Sequence, residues 1–346
     1  MLMRTFFIMT MVILGCWDSV LAQNPKSERI KEIRSAYAKA KDKIDKNGKN
    51  GRSPHDMSII INNVADEEAE ITSEDHLDFY FDERVAEDGN HPKQLFFVAG
   101  NSSLHGNSKY CEWLYDTDGN LMFSYMKAET DAGYVVESRY YYDTSGKCIE
   151  QKHNTPNTWT SEKEELEKAD RLLKIFKMTT SGEDLTPYPD HEDGVKPYTE
   201  QQMKHIRQIY AQAKDKIAKN DKSSTPRDAT ITVHDLGEDW PPRTITTQFF
   251  FETVNDEDDC CYFISQHNSS MSFDQYSEYL FEPQTNNLIF SYYRSREEGE
   301  QYETRYYFDQ KGRCIEVKSD EEETDYGYLS RHLANDLLFL FRAISQ

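Results

Sequence analysis

Basic residues are in deficit. The chain has 346 residues, with 40 Lys and Arg against 62 Asp and Glu, for a formal net charge of −22. Neutralising phosphates needs an excess of cations, so no nucleic acid is expected as a partner, and an anionic membrane surface is disfavoured on the same ground. No apolar run after residue 22 is long enough for a bilayer span, so no transmembrane segment is expected there. Cysteine is sparse, and no Cys-x-x-Cys pair occurs, which removes the zinc-ribbon and redox motifs. There is no Gly-x-Ser-x-Gly elbow, no His-Glu-x-x-His and no Gly-rich phosphate loop. No catalytic, cofactor-binding or metal-binding residue is assigned, and no cofactor is expected. A pair of glycosidase carboxylates leaves no linear mark, because its spacing is spatial.

The beginning of the chain is read as a leader. Arg4 is followed by an apolar run over residues 5–15, and Val20-Leu21-Ala22 fits a small-residue cleavage site. Residues 1–22 are therefore expected to be a signal peptide, making the protein secreted or periplasmic. Ile13-Leu14-Gly15-Cys16 also resembles a bacterial lipobox, and the alternative is a lipoprotein anchored at Cys16. Cleavage after Ala22 leaves Cys111, Cys148, Cys260, Cys261 and Cys314. An odd number cannot pair fully, and free thiols are the expectation.

What the chain does have is aromatic residues, 22 Tyr and 18 Phe, which a disordered acidic chain would lack. It also has a recurrent text. IRSAYAKAKDKIDKN (33–47) returns as IRQIYAQAKDKIAKN (206–220), and NLMFSY (120–125) as NLIFSY (287–292). Asn101-Ser102-Ser103, a glycosylation-acceptor pattern, returns as Asn268-Ser269-Ser270. ESRYYYDTSGKCI (137–149) returns as ETRYYFDQKGRCI (303–315).

Residues 28–46 place Ile30, Ile33, Tyr37, Ala40 and Ile44 on one helical face. From 57 to about 153 the period changes to two, and seven strands are predicted at roughly 57–64, 76–83, 94–100, 109–116, 119–128, 134–143 and 146–152. Ser161-x-x-Glu164 caps a closing helix, and Thr199-x-x-Gln202 opens the second copy. The expected fold is α+β, in two tandem homologous domains. Each is a helix, an antiparallel β-meander of about five to seven strands and a second helix, with the helices packed on one sheet face. The expected boundaries are 23–178 for domain 1, 179–198 for a Pro-rich acidic linker and 199–346 for domain 2.

Tyr142-Asp143-Thr144-Ser145-Gly146, Phe308-Asp309-Gln310-Lys311-Gly312 and Tyr115-Asp116-Thr117-Asp118-Gly119 share one pattern. It resembles the Tyr-Asp-x-x-Gly hairpin of YD-repeat shell proteins over about eight residues at each place. The resemblance implies shared hairpin chemistry. Asp116-x-Asp118-Gly119-Asn120 also admits a calcium reading, although a full loop needs more oxygen ligands.

Alternation assigns Tyr134, Tyr140 and Tyr142, with Tyr302, Tyr306 and Phe308, to the core. The opposite face presents Glu137, Arg139 and Tyr141, and again Glu303, Arg305 and Tyr307. These six are the candidate binding face, with Tyr as anchor and Arg as directed donor. The competing reading is a plain exposed sheet face with cross-strand Glu–Arg pairs. The expected function is a non-enzymatic binding or interaction module for a protein, peptide or glycan. The alternatives are an extracellular hydrolase with carboxylates in the interdomain cleft, and an envelope-anchored structural lipoprotein.

Overall fold

The computed structural model describes residues 25–49, 56–66, 71–83, 92–104, 107–129, 133–156, 160–181, 184–187, 195–223, 226–235, 243–254, 258–283, 285–297, 299–320 and 327–345. The expected leader, with Cys16 and Ala22, lies outside them.

Seven strands follow the first helix, α1 (Pro25–Lys49). They are β1 (Asp56–Asp66), β2 (Ile71–Glu83), β3 (Lys93–Leu104), β4 (Asn107–Tyr115), β5 (Leu121–Glu129), β6 (Val135–Tyr142) and β7 (Cys148–His153). Helices α2 (Glu162–Thr180) and α3 (Glu200–Asn220) come next. Seven more strands follow: β8 (Asp228–Asp235), β9 (Arg243–Val254), β10 (Asp258–Ser269), β11 (Phe273–Phe281), β12 (Leu288–Glu297), β13 (Glu300–Phe308) and β14 (Cys314–Ser319). Helix α4 (Tyr328–Ile344) closes the chain.

Local chemistry accounts for the element ends. Ser161 Oγ accepts from Glu164 N while Glu164 Oε2 accepts from Ser161 N at 2.6 Å, closing both halves of a capping box. Thr199 and Gln202 do the same for α3. At the β4–β5 turn, Asp116 Oδ1 accepts from the backbone of Asp118 and Asn120, each at 2.9 Å, and Gly119 supplies φ +85°. Asp143 and Asp309 repeat this arrangement in their own hairpins. The carboxylate of Asp116 therefore serves the turn, and the calcium reading gains no support from its geometry.

The expectation of two tandem domains is overturned. All fourteen strands form one antiparallel sheet, in the order β14-β13-β12-β11-β10-β9-β8-β1-β2-β3-β4-β5-β6-β7. The seam is β1 against β8, from Asp56↔His234 to Asn62↔Asp228. Ile59 faces Ile231 at its centre, and the alignment that superposes Asp56 on Asp228 superposes these two as well. The halves thus meet about a local two-fold axis.

Edge chemistry explains the merger. An edge rich in Met57, Ile59, Ile231 and Val233 would be a sticky template for strand pairing if left open. Pairing β1 with β8 removes both such edges. The outer strands β7 and β14 are only six residues long and carry Lys152 and Lys318, which suits them to remain edges.

The helices are not on one face either, which is a second correction. On one face, α2 and α4 cover a single core that runs across the seam and includes Met57, Ile59, Trp113, Phe176, Ile231, Phe249 and Phe341. On the other face, α1 covers Phe97, Leu114, Phe123 and Tyr141, and α3 separately covers Phe250, Phe263, Leu280 and Tyr307. Strands buried on both sides read as continuous apolar runs, not as alternation. Trp113-Leu114-Tyr115 and Leu121-Met122-Phe123 are such runs, buried at every position. Tyr134, expected in the core, stands just before β6 and is 72% exposed.

Candidate functional site

The face under α1 and α3 carries the same polar cluster twice. Tyr37 and Lys41 stand one turn apart on α1, so they leave the same side of the helix. Tyr110 and Glu112 are two apart on β4 and share a sheet face. Glu112, 2% exposed, accepts from Tyr37 OH at 2.6 Å, Tyr110 OH at 2.6 Å and Lys41 Nζ at 3.0 Å. In the second half Glu278, 4% exposed, accepts from Tyr210 OH at 2.6 Å, Tyr276 OH at 2.8 Å and Lys214 Nζ at 2.9 Å.

Burying a carboxylate is costly unless charge and lone pairs are matched, and three donors match them here. Burial first, and then the hydrogen bond to Glu112, pushes the Tyr37 and Tyr110 hydroxyls well above the ordinary tyrosine range. Tyr210 behaves likewise at Glu278. The hydroxyls therefore remain donors.

The six residues of the predicted binding face adjoin these clusters. Arg139 donates to Glu137 at 2.9 Å, and its guanidinium lies 5.0 Å from the centre of the Tyr125 ring. Arg305 donates to Glu303 at 2.7 Å and lies 5.3 Å from the Tyr292 ring. The Glu–Arg pairs run along one strand, at i and i+2. The cross-strand partners of the arginines are instead Tyr125 with Lys152, and Tyr292 with Lys318. Tyr141 and Tyr307 are 6% and 8% exposed, each under its helix. Glu and Arg thus remain at the surface, whereas the two tyrosines pack.

In the second half these groups border an open cavity of about 260 Å³, lined by Arg207, Tyr210, Glu278, Tyr292, Arg305 and Tyr307, among others. The first half places Arg34 5.9 Å over Tyr141, the counterpart of Arg207 beside Tyr307.

A second concavity, of about 360 Å³, lies on the α2/α4 face near the seam. Ile59, Ile61, Leu77 and Trp113 form its floor, and Lys109, Lys168 and Arg171 border it with Asp75 and Asp259. Lys168 Nζ stands 5.1 Å over the Trp113 ring. Cys111 also lines this cleft, and burial pushes its thiol up to about 11 despite Lys109 and Lys168. A thiol held protonated is a poor nucleophile. None of the five cysteines of the described residues is joined in a disulfide. Residue types able to ligate a metal converge at Asp184, His332 and Asp336.

Sequence reasoning missed the Glu112 and Glu278 clusters. The signal was present as Tyr-Ala-x-Ala-Lys at 37–41 and 210–214, with Tyr-x-Glu at 110–112 and 276–278. The Asn-Ser-Ser match is out of register by one position. Asn101 faces Tyr110, while the residue facing Tyr276 is His267, not Asn268. No helix among the described residues is long and apolar enough to cross a membrane. Compared with family models, curated proteins and solved structures, the chain matches none of them.

Proposed function

We infer that this protein is a non-enzymatic binding module of the secreted or cell-envelope space, engaging a protein or peptide partner through two equivalent sites. One observation carries the reading. An arginine stacked on a tyrosine beside a buried Glu–Tyr–Tyr–Lys cluster is built twice, on the same face of one continuous sheet. Arginine and tyrosine are the side chains most used as binding anchors, and a guanidinium held by stacking offers its remaining N–H groups to a carboxylate. The cavity beside Arg305 provides the concave surface that such an anchor needs. The matching partner presents a carboxylate next to an apolar or planar group.

Two sites on a rigid frame suit a partner with two such groups, because the second contact is then intramolecular and multiplies affinity. The test is capture from extracellular and envelope fractions by the immobilised wild type, with Arg139→Ala, Arg305→Ala and the double variant in parallel. Each single variant should weaken capture, and the double should lose at least about a hundredfold. Capture of every partner at wild-type level by the folded double variant rejects the assignment.

A further inference from the structure

We propose that Asp184, His332 and Asp336 form a divalent-metal site that clamps the segment joining the two halves onto the last helix. His332 and Asp336 are one turn apart on α4, so both side chains leave the same face. Asp184 arrives from the connecting segment, 148 residues away in the chain. His332 Nε2 lies 2.8 Å from Asp184 Oδ1 and 3.6 Å from Asp336 Oδ2, and one ligand atom from each of the three residues lies within 4.8 Å of the others.

Zinc holds imidazole nitrogen and carboxylate oxygen at about 2.0–2.2 Å, so tetrahedral ligand atoms stand roughly 3.3–3.6 Å apart. The Asp336 contact already has that separation. The Asp184 contact must open by roughly half an ångström to reach it, and the Asp184 side chain is half exposed.

Two details favour a metal over a simple latch. A hydrogen-bonded latch between helix and segment needs one carboxylate, and here a second is brought to the same nitrogen. That second carboxylate is itself oriented, since Thr186 Oγ1 donates to Asp336 Oδ1 at 2.6 Å and leaves Oδ2 toward the imidazole. Outer hydrogen bonds that orient a ligating oxygen are the usual second layer of a metal site. Charge points the same way. In either protonation state of the imidazole, the three groups sum to a negative charge, in a chain that already carries −22. With the imidazole neutral, as a metal ligand must be, a divalent cation cancels the charge of the two carboxylates.

The donor set of one imidazole nitrogen and two carboxylate oxygens suits Zn²⁺ or Mn²⁺ better than Ca²⁺ or Mg²⁺, which take oxygen alone. Three protein ligands leave a fourth position for water. The clamp joins α4 to Asp184, next to Leu185, which packs against the large core.

The experiment is calorimetric titration of the chelator-treated full chain with ZnCl₂, with MnCl₂ and CaCl₂ alongside. One equivalent of Zn²⁺ should bind saturably, with Ca²⁺ weaker. Asp184→Asn and Asp336→Asn should each weaken Zn²⁺ binding by at least about tenfold. His332→Gln should abolish it, but His332 is buried, so the exposed Asp184→Asn is the variant that separates ligand loss from misfolding. Absence of a saturable Zn²⁺ event in the wild type overturns the proposal. So does binding of unchanged affinity in both aspartate variants, which would assign the metal to thiols or to scattered surface acids.

Discussion

Glu112 and Glu278 show what a single buried charge does in this protein. Each joins a helix to the sheet through a tyrosine and a lysine on that helix, so the cluster fixes where α1 and α3 sit. A hydrogen bond to a charged acceptor is worth about 1.5–3 kcal/mol. Tyr37→Phe and Tyr210→Phe should each lower unfolding free energy by about that amount, as read from urea denaturation. Equal losses in the two halves are expected from the matched geometry. The same hydroxyls set an alkaline limit. Burial, and then the charge of Asp78, pushes Tyr80 up to about 12, and Tyr37, Tyr110, Tyr210 and Tyr276 are also raised, chiefly by burial. In the unfolded chain these groups ionise near about 10. Their contribution is therefore whole below about pH 10 and is lost as pH rises through the folded values. Urea midpoints should be level up to about pH 9 and fall steeply by about pH 11. A midpoint unchanged at the higher pH contradicts the account.

Among the elements, the turns separate backbone chemistry from packing. Gly146 and Gly327 have nearly the same left-handed backbone, at φ +79° and +74°. A Cβ at Gly146 would meet nothing within 4 Å, whereas at Gly327 it would lie 2.7 Å from Phe308 Cζ and 2.9 Å from Tyr306 Cδ1. Gly146→Ala should cost the left-handed penalty alone, about 1–2 kcal/mol. Gly327→Ala should cost about 2–4 kcal/mol, because overpacking adds to that penalty. Thermal unfolding of the two variants measures the difference. The Tyr-Asp-x-x-Gly hairpins were legible because their rule is local: one aspartate bonds two following amides and one glycine takes a positive φ. Tyr134 was misplaced because alternation carries no sign of where a strand begins, and β6 starts one residue later at Val135.

For the whole molecule, the seam decides cooperativity. The core on the α2/α4 face contains residues of both halves, including Ile59 beside Ile231 at the seam, Phe81 of the first half and Phe249 of the second. Unfolding should therefore be a single transition, with far-ultraviolet and near-ultraviolet signals coincident. Strand β8 is paired on both sides, with Thr230 opposite Ile60 and Gln248. Thr230→Pro should cost about 3 kcal/mol or more and destabilise both halves together. Two separate transitions in the wild type would speak for independent units.

Helices, strands and turns were all legible in the sequence, since each depends on near neighbours: a stripe at three and four, an alternation of two, a cap or a glycine at a set offset. In the first half seven strands fall where the period of two put them, β2 departing most, since it starts at Ile71 and not at 76, and the first three helices begin within a few residues of 28 and of the two capping boxes. The candidate site was half legible. Repetition singled out Arg139 and Arg305, but not the glutamates beneath them, because Tyr37 reaches Glu112 across 75 residues and no local period records that contact. The tertiary structure alone decided that the halves share a sheet, that helices cover both of its faces, and which tyrosines are buried. The reason is physical. Whether an apolar edge such as Ile59-Ile60-Ile61 meets solvent, a helix or another strand depends on the partner surface available to it, and here that surface is the matching edge at Ile231.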